Sequence, residues 1–186
     1  MANYVFIATS LDGFIADEQG GVDWLTSIPD PDDGSDYGWA EHIARIDAIV
    51  MGRHSFETVL GFGVWHYDKP VVVLSRSLRE IPAEYAECAS LTSGTPHEVV
   101  SELAGRGFAN LYIDGGDVIR QFLAAGLIDE MTISLAPVLL GRGIPLFDGN
   151  VPPCGLELKS SAAYANGIVS NQYLLKRDTG DSSSDH

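Results

Sequence analysis

At 186 residues, with 45% hydrophobic and 20% charged residues, the chain has globular proportions and the length for one well-packed core that needs neither disulfides nor metals to fold. Eleven Lys and Arg against 26 Asp and Glu leave a net charge of -15. That field repels nucleic acid and anionic membrane surfaces, and it opposes any polyanionic ligand not met by a local concentration of Arg, Ser and backbone N–H groups. The two cysteines, Cys88 and Cys154, form no CxxC pair and sit in no zinc-spaced cluster, so no metal is expected. No basic leader and no run of about 18 apolar residues appears, which makes a cytoplasmic location the default expectation.

In chain order, Tyr4 to Thr9 is an almost wholly apolar run that reads as a strand buried on both faces. Asp17 to Ser35 is the longest irregular stretch. Its segment PDPDDGSD holds Asp30, Asp32, Asp33 and Asp36 without the alternating ligands of a calcium loop, so a solvated acidic loop is expected, with Asp36 placed to cap the helix of YGWAEHIARI. Ala48 to Met51, Val71 to Leu74 and Leu111 to Ile113 repeat the buried-strand pattern. In TPHEVVSELAGRG, Thr95 can cap, Pro96 can open and Glu98 can complete a capping box, and Gly105 and Gly107 end that helix.

In DVIRQFLAAG, Val118 and Phe122, then Ile119 and Leu123, lie four apart on one apolar face, and Gly126 is placed to stop the helix. From Glu130 to Leu135, and across LELKSSAAY and IVSNQYLLK, the pattern becomes strand-like, and Asn166-Gly167 marks a hairpin. The expected fold is α/β: a central mixed, mostly parallel sheet flanked by helices, with a C-terminal antiparallel hairpin. Residues 1–177 read as a single domain and residues 178–186 as a disordered acidic tail.

Three strand ends carry the polar chemistry. Gly52, Arg53, His54 and Ser55 sit where a helix begins, so an anion there meets N–H groups, a hydroxyl and a guanidinium. The next strand ends at Leu74 and delivers Ser75, Arg76 and Ser77; a third ends in Asp114, Gly115 and Gly116. Ligands of open α/β sheets collect beyond the carboxyl ends of strands, and the three segments together can surround a multi-phosphate ligand. Taken singly, each has a plainer reading: surface arginines, turn serines, a helix-start histidine and a glycine pair that supplies a tight turn.

The motifs SLDGFIA, GGVDWL, DAIVMGRHSFE, VVVLSRS, YIDGGDVIRQFLAAGLIDE and PVLLGRGIPLF, in that order from about Asn3 to Lys176, resemble the dihydrofolate reductase superfamily. The similarity is to stand-alone proteins like the C-terminal reductase domain of the bifunctional riboflavin-biosynthesis deaminase/reductase. The resemblance implies a dihydrofolate reductase-like sheet that binds NADPH across its strand ends. By it, Gly52 to Ser55 bind phosphates, Gly115, Gly116, Asp117 and Val118 face the pyrophosphate, and Leu74 to Ser77 hold the adenosine 2′-phosphate, with Arg76 and Ser77 favouring NADPH over NADH. The nicotinamide would lie near Ala8, Ile15 and Ala16, and Leu11, Trp24 and Phe56 would line the substrate pocket. Asp12 shapes the SLDG turn. Asp36 occupies the place of the acid that assists protonation in folate-reducing relatives, and it fits equally well as a helix N-cap. Asp117 sets a carboxylate beside the pyrophosphate turn and must turn away from it, as it would when capping its own helix.

The resemblance implies an NADPH-dependent reductase of a small heterocyclic or ribosylamino-pyrimidine substrate, of the 5-amino-6-(5-phosphoribosylamino)uracil reductase type. Dihydrofolate reduction and a non-catalytic NADPH-binding sensor or structural dimer stand as alternatives. The sequence holds no HxE with PCxxC, so deamination of a pyrimidine is not expected. For a phosphorylated substrate, Arg142 and Lys69 are the candidate cations. A homodimer is expected, because two-fold symmetric dimers are the commonest oligomers.

Overall fold

The computed structural model describes residues 1–31 and 34–176. Asp32 and Asp33 of the acidic loop, and the tail expected at 178–186, lie outside the described residues. Among the described residues ten strands form: β1 (Ala2–Ser10), β2 (Phe14–Ala16), β3 (Ala48–Gly52), β4 (Val71–Leu74), β5 (Ala89–Thr92), β6 (Asn110–Asp114), β7 (Glu130–Ala136), β8 (Ile144–Pro145), β9 (Leu156–Ala163) and β10 (Val169–Leu175). The helices are α1 (Asp23–Thr26), α2 (Trp39–Ala44), α3 (Arg53–Gly61), α4 (Pro96–Gly105) and α5 (Gly116–Ala124). Eight strands make one sheet in the order β5-β4-β3-β6-β1-β7-β10-β9, and β2 pairs with β8 beside it. Strands β5 through β7 in that order run parallel, and β10 is antiparallel to both β7 and β9.

Alternation along the central strands fills both faces. Ala48 and Val50 of β3 and Leu111 and Ile113 of β6 meet Val99 and Leu103 of α4 and Val118, Ile119, Phe122 and Leu123 of α5. Ile49, Met51 and Tyr112 face the other way, toward Phe56 of α3 and Trp39 and Ile43 of α2. Each side chain removed from water there contributes about 1.5–3 kcal/mol. The period of two in the strands therefore sets which helix covers which face.

Local signals hold in detail. Thr95 accepts from Glu98 N while Glu98 reaches back to Thr95 N, the expected capping box on α4. Gly167 has φ 88 in the turn between β9 and β10, and Asn166 Nδ2 ties that turn to Pro29 O and Tyr37 Oη. Within the stretch expected to be irregular from Asp17 to Ser35, the four residues of α1 form one helical turn. A single turn is too short to show a 3.6-residue period. Among the described residues no helix is long and apolar enough to cross a membrane, and Cys88 and Cys154 are both free.

Candidate active site

Parallel register brings the carboxyl ends of β4, β3 and β6 side by side: Gly52 pairs with Leu74, and Met51 with Asp114. Helices α3 and α5 leave adjacent strands, with Gly52 and Gly115 as their N-caps and no side-chain cap on either. Their free N–H groups and positive dipole ends thus converge on one point. Gly115 has φ 84 and ψ 136, a conformation that L side chains rarely adopt, and a Cβ there would strike Ser55 Oγ. Gly116 is helical, and the space is what it needs, since a Cβ would lie 2.5 Å from Ile15 Cδ1. The pair does two jobs. One glycine supplies the backbone angle, and the other lets the strand β2 side chain Ile15 reach the helix end.

Around this cradle Ser55 and Arg53 are partly buried and His54 is exposed; Arg53 Nη1 is 3.6 Å from Glu57 Oε1. Ser75 Oγ accepts from Ser77 N (3.2 Å) and Leu78 N (3.0 Å), which folds the turn after β4 and leaves Arg76 and Ser77 exposed. Leu74 and Val118 are buried, with a Cβ on Gly52 falling 3.3 Å from Val118 Cγ2. Ala8 is partly buried on β1, and Ala16 is buried on β2. Glycine turn, two uncapped helix ends, Arg53, Ser55, Arg76 and Ser77 suit a dinucleotide phosphate chain, in spite of the acidic balance of the whole chain.

Asp117 turns away, as required, but not by capping: its carboxylate is paired with Arg120, which also lies 3.3 Å from Asp148 and donates to Pro145 O at 2.7 Å. Arg120, shared with Asp148, offsets part of the charge beside the cradle. Asp12 accepts from Ser10 Oγ (2.6 Å), Leu140 N (3.1 Å) and Gly141 N (2.7 Å), so it locks the SLDG turn to the loop after β7. The Ser10 hydroxyl, then the two backbone donors, hold its carboxyl below the usual range.

Beside the cradle, on the face of α2 and α3, lies a cavity of about 360 Å³. Phe6, Trp39 and Tyr112 form its floor and one wall; Phe62, His66 and Tyr67 form its rim. Asp114, the residue before the glycine pair, is the carboxylate in its lining. Tyr112 Oη lies 2.8 Å from Phe6 O and 3.1 Å from Asp114 Oδ1. The one phenolic hydrogen is shared between two acceptors, so neither bond is made at full strength. Burial pushes the Asp114 carboxyl upward, against hydrogen bonds from Tyr112 and Gly115 N. Burial, with Asp114 nearby, also raises the Tyr67 and Tyr112 phenols.

Four of the expected site residues lie outside the cavity lining. Asp36 is exposed, accepts from Ala40 N (2.7 Å) and Gly38 N (3.0 Å), and is held below the usual carboxylate range by those two bonds. It caps α2 and has neither the burial nor the raised affinity for a proton that an acid catalyst needs. Phe56 is 1% exposed inside the core, so it cannot line a pocket. Leu11, at 61% exposure, stands in solvent at the turn after β1. Trp24 on α1 is partly buried and is not in the cavity lining.

In the sequence Asp114 reads as the last residue of a strand before the glycine pair; the alternation that puts it on the same face as Tyr112, two residues earlier, is the signal for its place in the cavity lining.

Residues 4–170 match the family described as the RibD C-terminal domain. A putative riboflavin biosynthesis protein from Shewanella sp. PV-4 superposes with a TM-score of 0.90 at 43% identity, over 95% of this chain and 100% of that one. The uncharacterized protein YwjB of Bacillus subtilis (strain 168) is 30% identical over 88% of this chain and 92% of its own length. A dihydrofolate reductase from Enterococcus faecalis, complexed with NADP(H), shares the fold at a TM-score of 0.63 and 12% identity, over 95% and 97% of the two chains.

Proposed function

The chain belongs to the RibD C-terminal domain family, and from that membership we propose that it is an NADPH-dependent reductase of a C=N or C=O group in a small heterocyclic substrate. Reduction of a ribosylamino-pyrimidine is the nearest activity within that family. The observation that carries the reading is the meeting of two uncapped helix ends over Gly115, directly beside a ring-lined cavity that contains Asp114.

When bound, NADPH supplies the hydride. Gly52 to Ser55 and Gly115 to Val118 would hold its pyrophosphate, Arg76 and Ser77 its 2′-phosphate, and Ala8, Ile15 and Ala16 its nicotinamide. The protein's own contribution is orientation and a proton. Phe6, Trp39 and Tyr112 line the cavity with apolar ring surface, the rings meeting edge-to-face. Burial raises the proton affinity of the Asp114 carboxyl, which makes it the candidate source of that proton, and Tyr112, anchored on Phe6 O, fixes the carboxyl's orientation. That proton goes to the heteroatom that gains electron density as the adjacent carbon is reduced, and solvent restores it through the open rim at Phe62 and His66.

Titration with NADPH and with NADH, followed by nicotinamide fluorescence and thermal stabilisation at fixed salt, tests the cofactor. Saturable binding of NADPH, weaker binding of NADH, and a loss of that preference in Arg76→Ala are expected. Failure to bind either nucleotide would remove the reductase reading.

A further inference from the structure

We propose that the polar cavity between α2 and strands β7, β10 and β9 is a second binding site, which takes a small monocarboxylate against His42 and Arg45. The inference stands apart from the reductase reading and concerns another part of the molecule. This cavity measures about 140 Å³ and shares one lining residue, Phe6, with the larger cavity at the glycine turn. A cavity of about 150 Å³ takes a benzene ring, so the occupant is limited to roughly that size.

The wall presents donors that lack acceptors. His42 is 2% exposed, and among the described residues neither of its ring nitrogens has a hydrogen-bond partner; Arg45 Nε is buried and unpartnered as well. Both residues line the cavity. Arg45 Nε carries an N–H and cannot accept, and an imidazole that faces a carboxylate gains by carrying its second N–H. Tyr37 Oη, also in the lining, receives Asn166 Nδ2 at 2.6 Å and keeps its own hydrogen to give. A buried donor left unmet is costly, so this wall favours an occupant rich in acceptors.

Local charge selects an anion. Behind the wall the buried Glu130 is paired with Arg45, with Lys159 Nζ at 3.0 Å, and accepts from Gln172 Nε2 at 2.7 Å. Two cations against one buried carboxylate leave positive charge in excess. Glu41, the carboxylate in the lining, is exposed and screened by solvent. The remaining neighbours of the imidazole are rings: Tyr4 and Phe6 of β1, Trp39 of α2 and Tyr112 of β6. Burial, then Arg45, lowers the His42 pKa to about 4, against the pull of Glu130. A carboxylate in the cavity favours the charged ring, so its capture brings a proton onto His42.

The test titrates the protein with sodium propionate and with propionamide by isothermal calorimetry, without nucleotide, while NMR follows the His42 ring. Return of the imidazole from about 4 to its ordinary 6.5 makes propionate bind about tenfold more tightly at about pH 5.5 than at about pH 7.5. Propionamide, which carries no charge, should bind about tenfold more weakly than propionate at the lower pH. His42→Gln should remove the pH dependence. Ala162→Leu, which adds bulk to the lining from the exposed strand β9, should weaken propionate by about tenfold. The proposal is overturned by any one of three results: no saturable binding of propionate at either pH, equal affinity for propionamide, or propionate binding unchanged by Ala162→Leu. A His42 ring whose titration in the parent ignores saturating propionate would overturn it as well.

Discussion

Replacement of Gly115 by alanine isolates the feature on which the cofactor cradle depends. At φ 84 and ψ 136 an L residue is strained, at about 1–3 kcal/mol. The new Cβ also meets Ser55 Oγ, with Ser55 Cβ 3.3 Å away. A hydroxyl can swing aside, so the collision adds about 0.5–1.5 kcal/mol of displaced rotamer. Gly115→Ala should therefore lower the unfolding free energy in urea by about 1.5–4.5 kcal/mol. In the Ser55→Ala background the rotamer share returns and the backbone share remains, so a double-mutant cycle separates the two. Gly116→Ala is the control: its φ is not in the left-handed region, and its new Cβ meets only the ends of the Ile15 and Arg120 side chains, which can move. It should cost less than Gly115→Ala while still weakening NADPH binding. A Gly115→Ala protein within about 0.5 kcal/mol of the parent would refute the reasoning.

Asp114→Asn should reduce turnover by about 100-fold or more if the reductase uses the proposed Asp114 proton. In the parent, turnover should fall as pH rises through the raised Asp114 pKa, and this limb should be missing from the variant's profile. The same group sets a stability trend. A carboxyl raised above its ordinary 3.8 stabilises the fold below that value and loses the contribution as pH rises through the folded value, so Asp114→Asn should melt higher than the parent at neutral pH. Glu130 behaves oppositely. Burial disfavours its charge, but Arg45, Lys159 and Gln172 outweigh it and hold the pKa below 4.5, so its contribution is present above 4.5 and is lost as pH falls through the folded value. Glu130→Gln should cost about 1–3 kcal/mol in urea unfolding at neutral pH. We also propose a homodimer through the exposed edge strand β9, where Leu158 is 55% exposed; Leu158→Glu should then give a monomer by light scattering, and a monomeric parent would end that proposal.

The sheet was legible where burial leaves its mark on composition. Ala48 to Met51 and Val71 to Leu74 are apolar on both faces because helices cover both, and α4 announced itself through Thr95, Pro96 and Glu98. Strand β5 was not visible, since Ala89–Thr92 carries two half-exposed residues and no long apolar run. The two-residue β8 exists only through its pairing with β2, a tertiary event with no local period. At the site, positions defined by backbone were readable, because Gly52, Gly115 and Gly116 stand at strand-to-helix junctions. Positions defined by side-chain packing were not. Phe56 lies in the first turn of α3 and Phe62 at its C-cap, yet one is buried in the core against Trp65 and the other is half exposed in the cavity lining. Asp36 and Asp114 are both aspartates beside helix starts, and only the surroundings of their carboxyls separate one whose pKa is lowered by backbone hydrogen bonds from one whose pKa is raised by burial.

The most direct test of the central claim follows a label. NADPH carrying deuterium on the transferring face of C4 is mixed with the protein and a small heterocyclic acceptor, and the products are examined by mass spectrometry. Reductase action predicts deuterium on the reduced carbon of the acceptor, at a rate that collapses in Asp114→Asn. Tight NADPH binding with the label retained on the nicotinamide for every acceptor would contradict it and leave a nucleotide-binding protein without turnover.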